Sequence, residues 1–164
     1  MGTAVLPEDD SSVDKIDKRI LRLLQKDSEM SLENIAHLIG VSTATCWRRV
    51  EALRQGGVIL GSSVQLSEDA LNLKTTVVVL IRALQHTQRW LGNLAGKVAE
   101  IPEIVCCWRI SGEHDYLLVV KVPDLDHYDK VYKRLLPILD GDQVTTIVRL
   151  ESLKDQKTLP LEYL

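Results

Sequence analysis

Glu113, His114 and Asp115 follow one another directly. An acid, an imidazole and a second acid are the groups that proton transfer or metal ligation would use. They stand in SGEHDY, Ser111 to Tyr116, between the apolar runs VCCWRI and LLVVKV. Consecutive side chains in a reversing chain do not converge on one reacting atom, so catalysis and metal binding are poor geometric fits. Ser, Gly and Asp favour turns for identifiable reasons. The stretch is therefore expected to be a hairpin turn. Gly112 allows close approach to the backbone, backbone N–H groups suit a carboxylate, and Asp115 is placed to meet an ammonium group.

A second group of residues has another chemistry. Ser42, Thr43 and Thr45 are small hydroxyl residues ahead of Trp47, Arg48 and Arg49. Arg48, Arg49 and Arg54 against Glu51 give this segment 3 − 1 = +2, in a chain whose formal net charge is −3. Arginine reads guanine edges or grips phosphates, and the N–H groups of a helix start also suit phosphate. The competing reading is a solvated basic helix face. Trp47 either lies against a phosphate backbone or covers the edge of a small core.

The elements that would position these arginines are three short helices. Ile16, Ile20, Leu23 and Leu24 recur at helical spacing, with Asp14 and Asp17 near the helix start. Ser31 caps a second helix with Leu32, Ile35, Ala36 and Ile39 on one face. Gly40 supplies the left-handed stop, and Ser42 caps a third helix that buries Cys46, Val50 and Leu53. Helix, Gly-Val-Ser turn, helix is the helix-turn-helix order. Val58 to Leu60 with Val64 to Leu66 reads as a short paired element.

The loop at Ser111 belongs to a different pattern. Thr75 to Leu84, Ile104 to Ile110, Tyr116 to Val122 and Val144 to Leu153 read as strands. Gln88 to Ala99 and a segment capped by Asp124 read as helices. Strand, helix, strand, strand, helix, strand is the ferredoxin-like βαββαβ order, so the fold class is α+β. Val77 to Ile81 and Leu117 to Val120 are apolar on both faces. Two helices cover one face, and a second subunit is the simplest cover for the other. Two-fold symmetry would then present two recognition helices on the order of 34 Å apart.

Bulk properties narrow the class. The 164 residues are 45% hydrophobic and 26% charged, as in ordinary globular proteins. Cys46, Cys106 and Cys107 have neither zinc-site nor disulfide-scaffold spacing. Cys106 and Cys107, adjacent on a strand, point to opposite faces and cannot bridge. This weakens a thiol-sensor reading. The longest apolar run, Val77 to Ile81, is far short of a membrane span. Reduced thiols and the lack of a signal peptide place the chain in the cytoplasm, with no membrane and no cofactor expected.

DKIDKRILRLLQKD, GVSTATCWRRVEAL, GGVI, SGEHDYLLVVKVPD and KDQKTLPL together resemble the leucine-responsive/asparagine-regulator (Lrp/AsnC) family of transcription factors, over Val13 to Pro160. That resemblance implies a winged or wing-like helix-turn-helix over 13–60, behind a flexible tail at 1–12. It also implies a linker strand at 61–73 and a ferredoxin-like domain at 74–164. The family's members bind promoter DNA, form homodimers that often assemble into octamers or other higher oligomers, and regulate amino-acid metabolism. Carried over by position, DNA contacts fall on Ser42, Thr43, Thr45, Arg48 and Arg49, with Ala44 where many relatives have Pro; Trp47, on the same helix, is a further candidate contact. A small amino-acid effector between subunits would meet Ser111, Gly112, Glu113, His114 and Asp115, with Thr145 and Thr146 from a neighbour. Ile147 stands where Ser or Thr is common, and the Asp140-Gly141-Asp142 loop looks one residue short. CWRRV, WRISGEHDYLL and HYDKVYKRLL are most similar to a subgroup with members that respond to cysteine or branched-chain amino acids. The enzyme alternative is similarity to tetrapyrrole (sirohaem) decarboxylases, which would recruit His114, His86 or His127. The arginine-bearing helix argues against it.

Overall fold

The computed structural model describes residues 13–84, 87–139, 141–156 and 158–164. The tail expected over 1–12, His86 and Asp140 lie outside the described residues. The chain divides into two compact units. One runs up to Val64 and includes Lys154–Leu164; the other is Gln65–Leu153.

The first unit holds α1 (Lys15–Lys26), α2 (Leu32–Ile39) and α3 (Thr43–Gln55). Each starts at a side-chain cap. Asp14 and Asp17 form a reciprocal capping box on α1. Ser31 Oγ accepts from Asn34 N at 3.2 Å, and Ser42 Oγ from Thr45 N at 3.1 Å. Gly40, at φ 77°, ends α2 in the left-handed conformation that only glycine adopts cheaply. Arg19 donates to the Leu38 and Ile39 carbonyls at 3.1 and 3.0 Å, which α2 leaves without intrahelical partners. Ile20, Leu21, Ile35, Ala36, Ile39, Cys46, Val50 and Leu53 form the core.

Two expectations for this part of the chain are corrected. The paired element over 58–66 does not form, so there is no wing hairpin at that place. The N–H groups of Val58 and Ile59 both go to the Leu53 carbonyl, at 2.9 and 3.0 Å, and Ile59 packs on the helical core. A segment that finishes a helix in this way has no N–H left there for a ladder. The second correction concerns the closing segment, expected in the second domain. Leu161 is buried in the helical core, and Gln25 holds Leu159 through both its side-chain amide atoms. Lys18 donates to the Leu164 carbonyl. Three short helices bury little apolar surface alone, and the returning segment adds to it. Leu161→Ala is expected to destabilise this unit by about 2 kcal/mol. Amide exchange in the full chain should show faster opening of α1 to α3 and unchanged protection in the sheet.

The second unit is a four-stranded antiparallel sheet in the order β2-β3-β1-β4. Its strands are β1 (Thr75–Arg82), β2 (Ile104–Arg109), β3 (Tyr116–Val122) and β4 (Gln143–Val148). Helix α4 (Gln88–Ala99) follows β1, and α5 (Leu125–Leu135) follows β3. This is the expected βαββαβ arrangement. Val77, Val79 and Ile81 pair with Val120, Leu118 and Tyr116 and pack with Leu94, Ile101, Val131 and Leu135. β4 stops five residues before the expected Leu153. Arg149 N still reaches the Thr76 carbonyl at 2.9 Å. Beyond it β1 has ended, so Leu150 and Leu153 are left 96% and 91% exposed. The polar turn inside the expected linker is fixed to the sheet: Glu68 pairs with Lys121 and, at 3.0 Å, with Arg149. Those two cations, Lys121 first, hold the Glu68 carboxyl below its usual range.

Candidate functional site

Helix α3 carries the expected DNA-facing residues, and the structure sorts them. Cys46, Val50 and Leu53 face the core as expected. Ser42 and Thr43 are exposed at the helix start, and Thr45 is half-buried and accepts a 2.8 Å hydrogen bond from Ser42 Oγ. Trp47 is 57% exposed and lies outside the helical core, so it does not cover the core's edge. Arg48 is exposed beside it. Ala44, Trp47, Arg48 and Glu51 thus form one outward stripe at helical spacing.

Arg49 turns the other way. Its guanidinium lies 2.7 Å from Asp14 Oδ2 and 2.9 Å from Asp17 Oδ1. The same two carboxylates cap α1: Asp14 Oδ1 accepts from Ile16 N and Asp17 N, and Asp17 Oδ2 accepts from Asp14 N. Hydrogen bonding from the Asp17 backbone, then from Arg49, holds the Asp14 carboxyl below its usual range. Asp17 and then Asp14 push the Arg49 pKa up. Arg49 is thus bound within the helical unit, whereas Arg48 is exposed. No motif in the sequence announced the pairing.

The stretch Ser111–Asp115 is the hairpin connection between β2 and β3. Ser111, Gly112 and Glu113 are exposed, with Gly112 at φ 136°. Ile110 N donates to the Asp115 carbonyl, and Asp115 N to the Ile81 carbonyl, each at 2.8 Å. Asp115 Oδ2 accepts from Ala83 N at 2.9 Å. The carboxylate expected to meet an ammonium therefore also frames the end of β1. His114 Nε2 is 3.4 Å from Thr145 Oγ1, which brings the loop to the start of β4. Thr146 goes elsewhere. Its hydroxyl is 2.7 Å from the Tyr128 hydroxyl on α5. Asp142 is a further anchor at this end of the sheet, accepting from Leu84 N at 2.9 Å and Trp90 Nε1 at 3.1 Å.

Register places an apolar surface beside Thr145. Trp108, Leu117, Leu80 and Thr145 form one row across the four strands, and Cys106, Val119, Val78 and Ile147 form the next. Directly paired residues share a face, and this is the face away from α4 and α5. Trp108 is 55% exposed and Ile147 47%. Among the described residues no group of three or more His, Cys, Asp or Glu could hold a metal. His127 is taken up by the α5 cap, with Nδ1 2.7 Å from Asp124 Oδ1. Cys46, Cys106 and Cys107 are free thiols. Cys107 is exposed, yet partial desolvation by its neighbours pushes its thiol up, the opposite of what a reactive thiolate needs.

The AsnC-type helix-turn-helix domain matches residues 13–54, and the Lrp/AsnC ligand binding domain matches residues 76–159. The chain belongs to the Lrp/AsnC family. Among its relatives is the DNA-binding transcriptional activator DecR of Escherichia coli, 36% identical over 151 residues, which are 92% of this chain and 99% of DecR. An AsnC family transcriptional regulator from Agrobacterium tumefaciens superposes with a TM-score of 0.83 at 38% identity. The match covers 92% of this chain and 99% of that one. A regulator from Neisseria meningitidis, solved as an L-Met complex, shares the fold with a TM-score of 0.86 at 24% identity, over 93% of this chain and 99% of that one. The relatives of this Lrp/AsnC protein are transcriptional regulators, which sets aside the tetrapyrrole decarboxylase alternative. Among the described residues no helix is long and apolar enough to cross a membrane.

Proposed function

We propose that this Lrp/AsnC protein is a cytoplasmic, sequence-specific regulator of amino-acid metabolism. It acts as a homodimer that builds octamers or other higher oligomers on promoter DNA. The observation that carries the DNA reading is the outward stripe of α3, where Trp47 and Arg48 are exposed behind the small residues Ser42 and Thr43. A capped helix start with small side chains enters a major groove closely, and its free N–H groups suit a phosphate.

A small amino acid is the proposed effector, held between subunits. Half-buried His114, next to exposed Gly112 and Glu113, meets Thr145 at the edge of the apolar sheet rows. A second subunit laid on those rows would close the site. The L-Met complex of the Neisseria meningitidis regulator supports this class of ligand. Thr146 makes no direct contribution, because its hydroxyl is turned to Tyr128 on the helical side.

Two measurements test the reading. Selection from random duplexes should enrich one palindromic site, and enrichment of none would sink the DNA assignment. A thermal-shift screen of the common amino acids should find one that stabilises the native state. A ligand at about a hundred times its Kd adds about 2.7 kcal/mol. Thr145→Val should lose that shift while keeping the unliganded midpoint. No shift with any amino acid at millimolar concentration would overturn the effector assignment.

A further inference from the structure

We propose that Arg49 is a positioning residue: pinned by Asp14 and Asp17, it fixes the pose of the recognition helix and leaves DNA contact to Arg48 and Trp47. The inference rests on the reading of α3 as the DNA-facing helix. Arg49 Nη1 donates to Asp14 at 2.7 Å and to Asp17 at 2.9 Å, from the middle of α3 to the first turn of α1. Asp17 is only 15% exposed and Arg49 28%, so water weakens the contact less than it would a surface pair. Arg49 Nε is buried. Each carboxylate gives one oxygen to the α1 cap and the other to Arg49, so the cap and the cross-helix contact are a single network.

The same supporting helix holds α2 as well. Two residues after Asp17, Arg19 donates to the last carbonyls of α2. Helix α1 therefore grips α3 through carboxylates and α2 through a guanidinium, on either side of the Gly40 turn. Apolar packing along the Cys46, Val50 and Leu53 stripe still lets a helix slide or roll slightly. A fork of charge-assisted hydrogen bonds to one atom resists both motions. A base-reading helix needs that restraint, because discrimination depends on where Arg48 reaches a base edge.

The test uses the full chain, the duplex it selects, and a scrambled duplex of equal length, each across a salt series. Arg49→Gln is expected to lose about tenfold in specific affinity, the scale of one mismatched base pair. Binding to the scrambled duplex and the slope of affinity on salt should stay as in wild type. Asp17→Asn should produce the same loss, and the double variant should be no worse than the poorer single one. Arg49→Lys, which keeps a charged donor able to bond both carboxylates but on a shorter, more flexible stem, should recover part of the ratio. If Arg49→Gln does not fold, Asp17→Asn and Arg49→Lys decide by the same ratio and slope. A slope shallower by about 0.9 in Arg49→Gln, one lost phosphate contact, would overturn the inference. So would tighter DNA binding by Asp17→Asn, which would mean the acids merely withhold Arg49 from DNA. Wild-type protein that selects no duplex overturns the DNA reading and the inference together, whereas the other two results overturn the inference alone.

Discussion

Arg48→Ala weakens binding to the selected duplex by about 1–3 kcal/mol, roughly fivefold to 150-fold, and leaves the thermal midpoint where it was. The two halves of this expectation have separate causes. Arg48 is exposed, and none of the ion pairs among the described residues involves it, so its removal breaks nothing that holds the helices together. Its place beside Trp47 on the outward stripe makes it the guanidinium best placed to reach a base edge or a phosphate. The two contacts differ in signature. Loss of a base contact relaxes preference at one position of the site and spares the scrambled duplex. Loss of a phosphate contact weakens every duplex alike and lowers the salt slope by about 0.9. Equilibrium binding by fluorescence anisotropy on both duplexes, at several salt concentrations, separates them. Unchanged affinity on both would remove Arg48 from the interface.

Arg48 and Arg49 are neighbours of one residue type, yet one is exposed and the other is paired across helices, and spacing already held the clue. Cys46, Val50 and Leu53 define the buried stripe of α3, and position 49 lies three residues from 46 and four from 53. That puts Arg49 on the flank of the buried face, where an arginine needs acidic partners. Asp14 and Asp17 were legible as residues near a helix start, though not as those partners, because pairing across helices depends on how the helices cross. The same logic applies to the adjacent threonines. Alternation along a strand separated Cys106 from Cys107, and it also sends Thr145 and Thr146 to opposite faces. Only Thr145 ends beside His114. The helices and strands were readable because caps and apolar periodicity are local. The missing wing and the return of Leu161 to the helical core were not. Both depend on which distant carbonyl or apolar gap a short segment finds, and Val58, Ile59 and Leu161 carry no local sign of that choice.

Leu117→Lys should split the proposed homodimer. Leu117 sits inside the apolar row, paired with Leu80 on one side and Trp108 on the other, on the face that α4 and α5 leave open. A stable interface buries on the order of 1,200–2,000 Å², and covering both rows with a second copy would put Leu117 well inside that patch. An unpaired ammonium held there costs several kcal/mol. The dissociation constant should then rise by at least about a hundredfold, at 1.4 kcal/mol per factor of ten. Sedimentation equilibrium over a concentration series reads this directly. Gln88→Lys, an exposed position on α4, is the control that should leave assembly unchanged. A Leu117→Lys protein that stays dimeric would move the interface off this face. The variant also bears on the effector, because Thr145 ends the same row. A site shared between subunits loses its amino-acid thermal shift when the dimer splits. A site complete within one subunit keeps it, so one substitution distinguishes an effector that cements the interface from one that only lies next to it.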